Sequence, residues 1–142
     1  MEIKRNPENL KKLTASYIRS SKERLNAANL LLKERLFRDS ISRSYYAFLD
    51  AADALLLTKD LRPKSHAGTI RLCNIHFVHT GILDKKYGAW FKKIEKARLE
   101  AEYERWKEFT KDDAEEVLKE AEEFVKTVEK LLSFDSLQGF KD

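Results

Sequence analysis

The sequence predicts an all-α fold, an up-and-down bundle of about five helices in one domain. Three observations lead there. Apolar residues recur at spacings of three and four through most of the chain, the pattern of helices with a buried face. Only four Gly and two Pro interrupt 142 residues, so breaks are few and helices long. No segment holds the strict alternation of a half-buried strand, and neither an internal repeat nor a low-complexity tract is present.

The first helix opens at Asn6-Pro7-Glu8, with Asn as cap, Pro in the first position and an acid in the first turn. Leu10, Leu13, Tyr17, Arg24, Ala28, Leu31 and Leu32 carry its spacing to about Arg35, and Lys11, Lys12, Arg19, Lys22 and Arg24 make its polar face basic. After a Leu36-Phe37 link, 38–60 forms the most apolar helix of the chain. Ile41, Tyr45, Phe48, Ala52, Leu55 and Leu56 give one stripe, and Tyr46, Leu49 and Leu57 a second. A helix apolar over so much of its circumference belongs in the centre of a bundle. Pro63 ends the following link and Ser65 caps a third helix, His66 to about Val78, stopped by a left-handed Gly81. Its buried stripe is Ile70, Cys73 or Asn74, and Phe77.

A fourth helix runs from Asp84 to about Lys107, with Tyr87, Trp90 or Phe91, Ile94, Ala97 or Arg98, Ala101 and Trp106 inward; its charged middle, 91–104, is expected to bend or protrude. Thr110 and Asp113 form a capping box for the fifth, whose stripe is Ala114, Val117, Ala121, Phe124 or Val125, Val128 and Leu131. The core is expected over about 7–133, with 134–142 a flexible tail.

Composition narrows the classes. Charged residues make up 37 % against about 25 % in an average soluble chain, while apolar content is ordinary at 42 %, so the excess charge belongs on solvated faces. A net charge of +4 is compatible with an RNA or nucleotide partner but far from a polycation. One cysteine, Cys73, excludes a disulfide framework or cysteine zinc site within one chain. No run reaches the length of a membrane span and the first residues lack an apolar signal core, so a cytoplasmic protein is expected.

The chemistry-bearing groups are few. Glu115-Glu116 and Glu122-Glu123 lie four residues before Lys119 and Lys126, the spacing of solvated helix ion pairs. Asp50 and Asp53 are the only carboxylates in apolar company. Arg43 and Asp50 share the central helix two turns apart, about 10 Å, too far to pair along it. His76 and His79 sit at i, i+3 but are two ligands short of a metal site, so no metal and no cofactor is expected. Arg71 and His76, five apart, could converge on one phosphodiester, the arginine holding charge and the histidine moving a proton.

The segment Ser42-Arg43-Ser44-Tyr45-Tyr46-Ala47-Phe48-Leu49-Asp50-Ala51-Ala52-Asp53-Ala54-Leu55-Leu56 resembles the tyrosine helix of HEPN-domain proteins, which reads R-A-Y-Y-A-x-F-H-A-A-x-A-L-L. Pro63-Lys64-Ser65-His66-Ala67-Gly68, His76-Phe77-Val78 with Thr80-Gly81, and Arg98-Leu99-Glu100-Ala101-Glu102-Tyr103 resemble further motifs of that family, in its order, between about Leu10 and Leu132. The resemblance implies a helical bundle that dimerises through its central helices and works beside a minimal nucleotidyltransferase in a toxin–antitoxin-like module. It also implies, for many members, a metal-independent ribonuclease with an Arg-x4–6-His pair. Arg71 and His76 have that spacing, and Arg43, Tyr46, Asp50, Lys64, His66, Arg98 and Tyr103 fall on motif positions that would line the site. The chain departs from the pattern twice: Asp50 stands where the helix motif has histidine, and Phe77-Val78 follow His76 where some members carry an adenylylated tyrosine.

Three readings follow: a homodimeric binding module for a nucleotidyltransferase and for nucleotide or RNA, a ribonuclease toxin, or a structural adaptor. In the dimer, joined through 38–60, Arg43 of one copy is expected opposite Asp50 of the other. High charge with a single Gln and a single Cys points to a hot environment. Thermal unfolding followed by circular dichroism should then show a midpoint above about 65 °C.

Overall fold

The first two helices fold back on each other through a three-residue link. The computed structural model of the chain describes residues 7–138, and side chains for 8–133; the expected cap Asn6 and the tail residues 139–142 lie outside. Helix α1 is Pro7–Lys33 and α2 is Phe37–Leu57. Arg35 takes the left-handed conformation (φ 63°) that turns the chain between them. The two helices meet along small residues. Ser40, Ser44, Ala47, Ala51 and Ala54, at alternating spacings of four and three, are all fully buried on α2, as are Ser21 and Ala28 on α1. Short side chains let the backbones approach, and hydroxyls then reach across. Ser21 donates to the Ala47 carbonyl at 2.6 Å and Ser40 to the Ala28 carbonyl at 2.8 Å, on one antiparallel register.

Helix α2 is central, as its double stripe predicts: thirteen of its twenty-one residues are buried, and it packs against α1, α3, α4 and α5. The tyrosine-helix aromatic Phe48 stacks flat on Phe124 of α5 with centroids 4.0 Å apart, and Phe91 of α4 meets both rings edge-on at 4.7 and 5.4 Å. Helix α3, His66–Cys73, is capped by Ser65, whose hydroxyl accepts from the Gly68 amide at 2.9 Å. It continues into one wide π turn, Asn74–Val78, closed by the His79 amide on the Asn74 carbonyl. Gly81 is left-handed (φ 85°), and Asp84 caps α4, Lys85–Tyr103. The Thr110–Asp113 capping box forms reciprocally at 2.9 and 3.1 Å and opens α5, Lys111–Gln138. The backbone is therefore helical five residues into the segment expected to be a tail.

Three expectations need correction. Helix α4 ends at Tyr103 and not near Lys107, so Trp106 lies beyond the helix and is 79 % exposed instead of buried. The α5 carboxylates pair chiefly across to other helices: Glu116 and Glu120 with Lys93, Glu123 with Lys86, Glu129 with Lys22, and Glu115 with Lys111 within the helix. Asp50 has its partner within the chain. Ser20 donates to Asp50 Oδ2 at 2.8 Å and Arg24 Nε to the same oxygen at 2.8 Å, while Arg43, two turns before Asp50, is exposed. An antiparallel partner helix is not needed to satisfy that carboxylate.

One side chain fixes the irregular link after α4. Arg38 donates to the carbonyls of Glu100, Ala101, Glu104, Arg105 and Lys107, and its guanidinium lies 5.1 Å from the centroid of the Phe109 ring. These carbonyls lie at the helix end and in the turn after it, and only those of Glu100 and Glu104 also accept from a backbone amide there, of Glu104 and Lys107. Arg38→Ala should lower the unfolding free energy by about 2 to 4 kcal/mol, because the charge-assisted bonds have no substitute. Arg38→Lys should restore only part, since an ammonium cannot fork between carbonyls. Urea denaturation measures the loss, and hydrogen exchange should localise faster opening to 101–110.

Candidate functional site

Neighbouring tyrosines on a helix diverge by about 100°, so Tyr45 and Tyr46 serve different surroundings. Tyr45 is buried, with the Arg98 guanidinium 4.7 Å from its ring centroid. Burial pushes its hydroxyl pKa up, and Arg98 offsets part of that rise. Tyr46 is half-buried and donates to Glu102 Oε1 at 3.3 Å, while Glu102 Oε2 pairs with Arg98 at 3.0 Å. Arg98 and Glu102 are i, i+4 on α4, so one turn of that helix grips both rings. Burial, then the Glu102 carboxylate, raises the Tyr46 pKa, which keeps the hydroxyl a donor. His66, exposed at the start of α3, lays its ring 5.8 Å from Tyr45 and 5.9 Å from Tyr46. From α1, the Arg24 guanidinium lies 5.3 Å from the Tyr46 centroid while holding Asp50.

Beside this cluster opens a cleft of about 570 Å³. Arg24, Arg43, Tyr46 and Glu102 supply its polar wall, with Asp39, Ser42 and Leu31 completing it. Arg43 is exposed and makes no hydrogen bond or ion pair among the described residues. Arg24 is already held by Asp50, and the Asp39 and Glu102 carboxylates share the wall, so the capacity of the cleft for a phosphate rests on Arg43. A larger, mostly apolar groove of about 720 Å³ lies between α1 and α5 around Ile18 and Leu132, and contains none of these groups.

The structure thus brings together Arg43, Tyr46, Asp50, His66 and Arg98 of the expected site. Lys64 is exposed in the link before α3, and Tyr103 is 72 % exposed at the end of α4. Arg71 is exposed near the end of α3 and His76 half-buried in the π turn; the ring and ion-pair contacts of the tyrosine cluster include neither. Among the described residues no three His, Cys, Asp or Glu side chains could hold a metal ion together. Sequence reasoning missed Ser20, Arg24 and Glu102. The available signal was the unpaired Asp50 on a buried helix, which demands a cation from elsewhere.

The sequence matches the HEPN domain over residues 14–131. The chain belongs to the HEPN family. Its relatives include a protein of Methanocaldococcus jannaschii provisionally named a toxin, 41 % identical over 115 residues, which are 81 % of this chain and 85 % of that one. A second such protein of the same organism is 30 % identical over 88 % of this chain and 86 % of its own length. A UPF0332 protein of Thermotoga maritima is 31 % identical over 85 % of this chain and 92 % of its own. In this HEPN chain three of the four motif segments, carrying Tyr45-Tyr46, His66 and Arg98, converge on one cluster. The position at which the tyrosine-helix motif has histidine is held by Asp50, and that carboxylate is tied to Ser20 and Arg24. Among the described residues no helix is long and apolar enough to cross a membrane.

Asp53, one turn beyond Asp50 on α2, has a different fate. Asp53 Oδ1 accepts from Thr69 at 2.8 Å, and no cation offsets its burial. Burial raises its pKa from 3.8 to about 6, with Asp50 adding to the rise and Thr69 opposing it. The folded state therefore holds this proton more tightly than the unfolded chain. Stability from Asp53 is greatest below about pH 3.8 and is withdrawn as pH rises through about 6, by up to about 3 kcal/mol. Asp53→Asn keeps an acceptor for Thr69 without the charge. Its unfolding free energy relative to the natural chain should rise by up to about 3 kcal/mol between pH 4 and pH 7.5, measured by urea titration at each pH.

Proposed function

We propose that this chain is the toxin-like HEPN component of a two-protein module, engaging a nucleotidyltransferase partner and using the cleft at Arg24, Arg43, Tyr46 and Glu102 to contact nucleotide or RNA phosphate. The observation that carries this reading is the convergence of three separated motif segments on one rim, beside an exposed arginine with no partner of its own among the described residues. The provisional toxin names of two relatives support the class of module. A second copy would meet the chain along the open strip of α2, Asp39, Ser42, Arg43 and Tyr46, which lines the cleft. That places the cleft at the seam of a homodimer, with Arg43 facing its counterpart's strip.

Affinity capture from the native host with the tagged chain should recover a nucleotidyltransferase. Repeated capture without one sinks the partner assignment. Arg43→Ala should weaken binding of a short RNA or of a nucleoside triphosphate by about tenfold, the size of one charge-assisted phosphate contact. Unchanged affinity removes the cleft from the reading.

A metal-independent ribonuclease is the second reading, and His66 is the observation that favours it, as the histidine in contact with the cluster. Growth arrest on expression that is relieved by His66→Ala and not by His76→Ala locates proton transfer at the cleft. Relief by His76→Ala and by Arg71→Ala assigns it to the pair on α3 and the π turn.

A further inference from the structure

Asp50 and Asp53 are one turn apart on α2, yet among the described residues only Asp50 meets a cation. Asp53 instead borders a partly enclosed cavity of about 250 Å³ between α1, α2 and the link 58–65. Leu13, Leu57, Leu61 and Pro63 form its aliphatic walls, and Tyr17 and Arg62 complete it. The Tyr17 hydroxyl is kept protonated by burial and by the two aspartates, with Arg62 opposing them. The link is held in place by the Leu61 amide on the Leu56 carbonyl and by a left-handed Asp60 (φ 54°), so the cavity is a preformed feature of the fold.

The polar groups decide what such a cavity takes. Asp53 has no counterion among the described residues; Arg62 has Asp60 at 4.0 Å, beyond hydrogen-bond distance, and its Nε and Nη2 are buried without an acceptor. With Asp53 ionised, the three groups leave the site one net negative charge, which disfavours an anion beside Asp53, and a neutral apolar ligand would strand both the carboxylate and the unpaired Arg62 donors. A metal ion would need several oxygens, and no such group converges here among the described residues. Thr69 already occupies Oδ1, so the fork of a guanidinium, which wants both oxygens, is poorly matched. A compact ammonium needs one. We infer that this cavity binds a primary alkylammonium group, its nitrogen on Asp53 Oδ2 and its chain against Leu13, Leu57, Leu61, Pro63 and Tyr17. The group is borne either by a free amine or by a lysine side chain of another protein.

Binding should depend on pH. The groups facing Asp53 are Asp50 on α2, Tyr17 on α1, Thr69 and Cys73 on α3, and the Asp60–Arg62 pair on the link. Burial raises the Asp53 pKa to about 6, and protonation removes the charge that the ammonium needs. The site is independent of the cleft reading, since none of the cleft residues lines it.

The test is the thermal midpoint of the full chain with millimolar n-butylammonium chloride at pH 7.5 and constant ionic strength, against n-butanol and ammonium chloride. The expected result is a concentration-dependent rise with butylammonium alone, at least about tenfold weaker in apparent affinity for Asp53→Asn and at pH 5. Leu13→Trp, at a half-buried wall position, should abolish the rise by filling the cavity, and serves if Asp53→Asn does not fold. Nα-acetyl-lysine amide distinguishes the sources: a rise with both amines supports a lysine-borne group, and a rise with butylammonium alone a free amine. No rise with either, an equal rise with n-butanol, or an equal rise in both variants overturns the inference.

Discussion

Two hydroxyls set the geometry of this protein. Ser21 on the Ala47 carbonyl and Ser40 on the Ala28 carbonyl span the α1–α2 seam, and both bonds require helix backbones closer than leucine packing permits. The serines fit because they are small; their bonds fix the register because a slip of one residue would bury the hydroxyls without acceptors. Ser20 and Arg24 flank Ser21 within one turn of α1. Once Ser21 is in place, those two side chains are carried to Asp50 and Tyr46 with no freedom left to adjust. The polar rim of the cleft is thus a consequence of a dry seam one face away.

Arg38 does for the other wall what the serines do for the first. Helix α4 has to stop so that Arg98 and Glu102 end beside the tyrosines and the chain can return to start α5. A helix end exposes carbonyls, and a turn without regular structure exposes more. A single planar guanidinium reaches five of them and is itself covered by the Phe109 ring. Lys107, paired with Glu100, ties the turn back to the helix it leaves. The arrangement uses a charge on the central helix as a backbone cap, and among the described residues Arg38 makes no ion pair.

The local signals in the sequence translated directly into structure. The Ser65 cap, the left-handed Gly81 and the Thr110–Asp113 box depend on residues within three or four positions, and each formed where its pattern lay. The double stripe of α2 was equally legible, because burial on all sides requires apolar residues on all sides. What could not be read depends on distant partners. Trp106 continues the spacing of α4, and nothing nearby announces that Arg38, sixty-eight positions earlier, ends the helix before reaching it. The serine–alanine seam was hidden for another reason: small residues at heptad spacing carry little hydrophobic signal, although all of them are fully buried. Asp50 showed that a cation was needed without saying which, and ten arginines were available.

Asp50 and Asp53, two of the three aspartates of α2, carry the sharpest lesson about site and scaffold. Both are carboxylates on the central helix, one turn apart, and sequence context treats them alike. Their difference lies in which neighbour faces each. The seam brings Arg24 to Asp50, so that charge is neutralised and becomes part of the frame that steadies Tyr46. Past the seam, α1 offers Tyr17 and Leu13 in place of a cation, and α3 offers only the Thr69 hydroxyl. Asp53 therefore remains a carboxyl whose charge is unfavourable in the folded chain, beside space that a small molecule could enter. A fold retains such a group at a penalty in stability near neutral pH, and a penalty of that kind is what binding of a complementary charge would relieve. Asp50 belongs to the architecture; Asp53 is the group whose chemistry the architecture leaves unused.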